Sequence, residues 1–155
     1  MDSSRGGAAV VSKALADSCS DRIEFTAMPS AVRQARHWAA AQLAQSDPPP
    51  TPAVIETAVL LVSELVTNAI RAACLHPDRG MRHPGQDQIS LLITRLPMAI
   101  RIEVHDSAGG SLPPPADCSA DSETGRGLTV IATLSRGWGW QAASGGKTVW
   151  CELSA

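Results

Sequence analysis

Residues 51–74 read TPAVIETAVLLVSELVTNAIRAAC, the most apolar segment of the chain. Thr51 followed by Pro52 predicts a helix start, because the hydroxyl accepts from a free amide and proline's fixed φ suits the first helical position. Glu56, Ser63, Glu64, Thr67, Asn68 and Arg71 interrupt the apolar run. No uninterrupted apolar stretch reaches the roughly 18 residues of a membrane span. The segment therefore reads as a long buried helix, and such a helix needs a surface to bury it.

The flanking patterns supply that surface. Upstream, Arg22 to Thr26 alternates, with Ile23 and Phe25 on one side, as a short strand does. Ser30 reads as the N-cap of a first helix, along which Val32, Ala35, Ala39 and Leu43 recur beside Trp38 until Asp47-Pro-Pro-Pro50 ends it. Downstream, Ile89, Leu91 and Ile93, then Ile100, Ile102 and Val104, alternate on either side of Leu96-Pro97, which predicts a strand pair. Leu128, Ile131 and Leu134 share one face of a helix expected over Gly127 to Arg136, with Gly137 as its stop. Trp138, Trp140 and Ala142 alternate, Ser144-Gly-Gly146 turns the chain, and Val149, Cys151 and Leu153 alternate back. The order is β-α-α-β-β-loop-α-β-β. Short turns between paired strands predict a largely antiparallel or mixed sheet, with the three helices on one face: an α+β two-layer sandwich. Residues 1–20 read as a disordered tail, and 21–154 as the folded domain. Within that domain, 107–124 is a long loop of the kind that compact domains keep for function.

Composition bounds the function. A chain of 155 residues with 44% hydrophobic and 18% charged residues is one globular domain, not a disordered segment. Lys plus Arg is 13 against 15 Asp plus Glu, so the net charge of -2 argues against nucleic-acid binding through a general basic face. Cys19, Cys74, Cys118 and Cys151 form no CxxC pair and suggest neither a zinc finger nor a redox motif. Cys74, His76 and His83 lie close in sequence, but at no standard metal-binding spacing. No apolar block of a signal peptide opens the chain. These features predict a cytoplasmic protein without membrane contact.

Four places can carry chemistry. Glu64 and Asn68 stand four residues apart and project from one side of the long helix. A carboxylate there can act as general base, and an amide oxygen can ligate a hard cation such as Mg²⁺; a solvated helix face is the plain alternative. Asp106 extends the row Ile100, Ile102, Val104 onto the core face, where a carboxylate needs donors, such as a purine amino group, or else caps the following turn. Gly125-Arg126-Gly127 at a helix start suits an anion beside free amides, or a hinge. Gly145-Gly146-Lys147-Thr148 forms a hairpin turn, in which Thr148 is expected on the pocket side and Lys147 as a surface charge. His105 is expected on the opposite sheet face from Asp106, and Trp138, Trp140 and Trp150 pack across strands or form a partner surface.

The order of these weak signals is specific. Leu60-Leu-Val-Ser-Glu-Leu-Val-Thr-Asn-Ala69, Ile102-Glu-Val-His-Asp106, Gly125-Arg-Gly-Leu128 and Gly146-Lys-Thr-Val-Trp150 together resemble the GHKL ATPase superfamily of histidine-kinase-like ATPase domains. The likeness covers about residues 21–154. Within that superfamily the chain looks most like the stand-alone actinobacterial anti-sigma-factor serine kinases, and Ala35-Arg36 and Trp38 share in the likeness. The resemblance implies ATP and Mg²⁺ as cofactors. It implies Glu64 as the catalytic base, Asn68 as the Mg²⁺ ligand, and Asp106 as the adenine-reading carboxylate. Gly110 then lies against adenine, Gly125 and Gly127 end the ATP lid formed by 107–124, and Thr148 lies near adenine. The family's Asp-x-Gly-x-Gly motif reads Asp106-Ser-Ala-Gly-Gly110, with Ala108 at the first glycine. The implied function is an anti-sigma-like serine/threonine protein kinase that controls transcription through a protein partner, a sigma factor or an anti-anti-sigma-like antagonist, without touching nucleic acid. A homodimer is a further expectation from the family. The alternative is a nucleotide-dependent protein-binding module without phosphotransfer.

Overall fold

The computed structural model describes residues 19–74, 87–107, 123–143 and 145–155. Eight elements follow in the order expected: β1 Cys19–Thr26, α1 Ser30–Gln45, α2 Pro52–Cys74, β2 Gln88–Leu96, β3 Ala99–Asp106, α3 Glu123–Leu134, β4 Gly137–Ala143 and β5 Gly146–Ser154. The strands form one sheet in the order β1-β2-β3-β5-β4. Every pairing among them is antiparallel, so the antiparallel option holds and the mixed one does not.

The period of two in each strand sorts the residues onto two faces. Ile89, Leu91 and Ile93 of β2, Ile100, Ile102 and Val104 of β3, and Val149, Cys151 and Leu153 of β5 point to the helices and are buried. α2 lies over this face and packs on β2, β3 and β5, with α1 and α3 beside it. By length and hydropathy alone α2 passes for a membrane span. Its packing makes it a core helix instead: Ala58, Leu61, Val62, Leu65, Val66 and Ala69 are all buried in the one cluster. α1 meets it through Ala31, Ala35, Ala39 and Leu43, a row at i, i+4 whose alanines let the two backbones approach. Burial pushes the Cys151 thiol up to about 12, so this cysteine serves as a small apolar core residue.

Several boundaries differ from the sequence expectation. β1 begins at Cys19, so residues 19–20 belong to the sheet and not to the tail. The long β2 offers partners that far, and Ser20 Oγ lies 3.0 Å from Thr94 Oγ1. The cap of α1 is Pro29 with no side-chain hydrogen bond, and Ser30 is the first helical residue. Thr51 caps α2 as expected, accepting from the Val54 amide at 3.4 Å. α3 starts at Glu123, four residues before the expected Gly127.

Among the described residues, the far face of the sheet carries polar rows and no second layer of helices. Arg101 bridges Glu152 at 3.0 Å, Arg136 reaches the same carboxylate at 3.2 Å, and the Arg101 guanidinium sits 4.2 Å from the centre of the Trp150 ring. Trp150 lies flat against Gly139 of β4, where an added Cβ would stand 3.0 Å from the ring. Partial burial pushes the Glu152 carboxyl up, but the hydrogen bonds and charges of Arg101 and Arg136 outweigh it and hold the group below its usual range.

Candidate functional site

α2 presents a polar flank beside its buried face. Ser63 spends its hydroxyl on its own helix, donating to the Val59 carbonyl at 3.0 Å. Glu64 and Asn68, one turn apart, instead face α3. A Cβ at Gly127 would lie 2.8 Å from Glu64 Oε2, 3.3 Å from Asn68 Oδ1 and 3.6 Å from Asn68 Nδ2. The three residues that the sequence placed in two separate motifs thus meet at one point, and glycine is what lets α3 come so close. Gly127 is the fifth residue of α3, beyond the four free amides of a helix start. Its part here is close approach, not a free amide.

Asn68 Oδ1 is buried and has no hydrogen-bond partner among the described residues. An orphaned acceptor of this kind costs about 1–3 kcal/mol, so its retention asks for a ligand. The neighbouring Glu64 adds negative charge. A hard divalent cation fits this pair: Mg²⁺ takes oxygen ligands, keeps several waters, and binds through one or two protein groups plus substrate phosphates. Among the described residues no group of three His, Cys, Asp or Glu side chains converges, so these residues offer no complete metal cage by themselves.

The second grouping lies where β3 ends and β5 begins. Asp106 is 2% exposed, on the core side of β3 as its place in the alternation predicted. Directly opposite it in the ladder stands Lys147, 5% exposed, with Nζ 3.4 Å from Asp106 Oδ2. Gly146 packs against the Asp106 backbone so tightly that any Cβ would collide with the Asp106 carbonyl oxygen. From Asp106 the chain enters the 107–124 segment, and it returns as α3, whose second turn reaches Glu64 and Asn68.

Residues 25–152 match the family model of the histidine kinase-like ATPase domain. The chain belongs to this family. A search of curated proteins gives no match. The two-layer architecture is the one expected of a histidine kinase-like ATPase domain, and ATP binding is the general function that goes with it.

Not every expected site residue joins these groupings. Thr148 faces away from Asp106, onto the open face of the sheet, where its hydroxyl lies 3.1 Å from His105 Nδ1. The reason is the strand period: Val149, Cys151 and Leu153 point to the helices, so Lys147 does too and Thr148 cannot. Lys147, expected on the surface, is the residue the sequence reading missed, and the alternation that placed Asp106 correctly was the signal for it. Gly125 lies in the first turn of α3, and Gly110, with the rest of 108–122, lies outside the described residues. Cys74 ends α2, while His76 and His83 also lie outside the described residues. The tryptophans form no single patch: Trp138 packs on the core, Trp140 is 40% exposed on the helix side, and Trp150 lies on the open face.

Proposed function

We propose that this protein is a cytoplasmic Mg-ATP-dependent regulator of the anti-sigma serine/threonine kinase type. It acts on a protein partner, a sigma factor or the antagonist of one, and not on nucleic acid. The observation that carries the reading is the convergence of the Glu64 carboxylate and the orphaned Asn68 oxygen under Gly127.

In this reading Asp106 accepts from the 6-amino group of adenine. Asn68 Oδ1 holds Mg²⁺, which when bound neutralises charge on the triphosphate. Glu64 orients the serine or threonine hydroxyl of the partner and takes its proton. The hydroxyl oxygen bonds to the γ-phosphorus, the bond from that phosphorus to the β–γ bridging oxygen breaks, and ADP leaves with that oxygen.

ADP release from Mg-ATP in the presence of a serine- and threonine-containing acceptor protein, followed in the wild type and in Glu64→Ala, tests the reading. A general base contributes about 10²–10⁴-fold, so turnover is expected to fall by at least about 100-fold while Mg-ATP affinity stays within a few-fold. Equal turnover in both proteins removes Glu64 from the chemistry. Tight Mg-ATP binding with no turnover in either favours the module that uses nucleotide only to set a partner-binding conformation.

A further inference from the structure

We propose that Lys147 is a second base-reading residue, donating to the ring nitrogen N1 of adenine while Asp106 accepts from the neighbouring 6-amino group. The inference rests on the nucleotide-binding reading above and adds to it a residue that reading does not use.

Four observations support it. Lys147 is almost fully buried, and an ammonium is rarely held inside a protein without a partner. Its one ion pair among the described residues is to Asp106, at 3.4 Å. An ammonium has three donors, so capacity remains beyond what that one oxygen takes. Next, the pairing is rigid. Lys147 and Asp106 are directly opposed across β3 and β5, and the contact of Gly146 with the Asp106 backbone fixes that register. Third, Thr148, the hydroxyl expected beside adenine, is committed to His105 on the other face, so the polar companion that β5 gives Asp106 is Lys147.

Last is chemical complementarity. The carboxylate only accepts and the ammonium only donates. Side by side they match a base edge that presents a donor next to an acceptor, as adenine does with its 6-amino group and N1. A lone carboxylate reads only the donor. The pair also explains how Asp106 is held ready: with Lys147 beside it, the buried carboxylate keeps a counter-charge when no base is present.

The test is calorimetric binding of ATP, 1-deaza-ATP and 7-deaza-ATP, each with Mg²⁺, to the full chain and to Lys147→Met. The first analogue replaces the N1 acceptor by C–H, and the second keeps it. In the wild type, 1-deaza-ATP is expected to bind at least about tenfold more weakly than ATP, with 7-deaza-ATP close to ATP. In Lys147→Met, ATP should fall toward the 1-deaza-ATP value and the ratio between the two should approach one. Equal binding of ATP and 1-deaza-ATP by the wild type overturns the proposal, and this comparison needs no variant to fold. An unchanged ratio in Lys147→Met, or an equal loss for all three ligands, overturns it as well, while ATP binding by the wild type leaves the nucleotide reading standing. Failure of all three ligands to bind the wild type overturns both.

Discussion

Gly127→Ala separates the two jobs of the α3–α2 contact. For the helix alone, alanine is favourable by about 0.8–1 kcal/mol over glycine at an interior position. Against that, the new methyl group would stand 2.8 Å from Glu64 Oε2 and 3.3 Å from Asn68 Oδ1. Both atoms end flexible side chains, so they can move aside, at an off-rotamer cost of about 0.5–1.5 kcal/mol each. The helix gain offsets only part of a total cost of about 1–3 kcal/mol, so folding should lose no more than about 2 kcal/mol and Tm no more than about 8 °C in a domain of this size. Ligand binding has no such compensation. The carboxylate and the amide oxygen must leave the positions in which the proposed reading has them face a cation, and Mg-ATP affinity should fall about tenfold or more, roughly 1.4 kcal/mol. Thermal unfolding without ligand and calorimetric titration with Mg-ATP read the two quantities separately. A variant that melts more than about 10 °C lower would show that Glu64 and Asn68 are structural packing. A variant with wild-type affinity would show that their positions do not matter to the nucleotide.

Gly146→Ala should behave in the opposite way. Its methyl group meets the backbone carbonyl of Asp106, which cannot swing aside, so the β3–β5 ladder must part; we expect a loss of at least about 3 kcal/mol in urea unfolding. The Arg101–Glu152–Arg136 cluster predicts a pH dependence. Glu152 titrates below its usual 4.5 when folded, so the stability it contributes is fully present above about pH 4.5 and is lost as pH falls through the lowered folded value. In Glu152→Gln the acid-induced decline in unfolding free energy below pH 4.5 should be shallower than in the wild type, and an identical slope would contradict the assignment.

The fold was legible because its signals are periodic. Alternation in β2, β3 and β5 and the apolar row of α2 each name a buried face, and the turns between them are short, so element order and layering followed. Boundaries were less legible because partners set them: β1 extends to Cys19 only because β2 is long enough to pair with it. The site was legible in parts. Glu64 and Asn68 share a helix face by spacing alone, but nothing local says that Gly127 closes over them, since that depends on how α3 packs. Asp106 was placed by counting in twos from Ile102. The same count from Val149 places Lys147 inside and Thr148 outside, and here the charge of lysine suggested solvent. The register against Asp106 prevailed because the carboxylate offers a buried ammonium its counter-charge.

The most direct test of the central claim is a calorimetric titration of the full chain with ATP, with and without Mg²⁺, repeated on Asn68→Ala and Asp106→Ala. Binding that strengthens with Mg²⁺, loses that dependence in Asn68→Ala and disappears in Asp106→Ala is the expected result. No binding of ATP at millimolar concentration, or binding that neither substitution alters, would contradict the assignment of these residues to a Mg-ATP site.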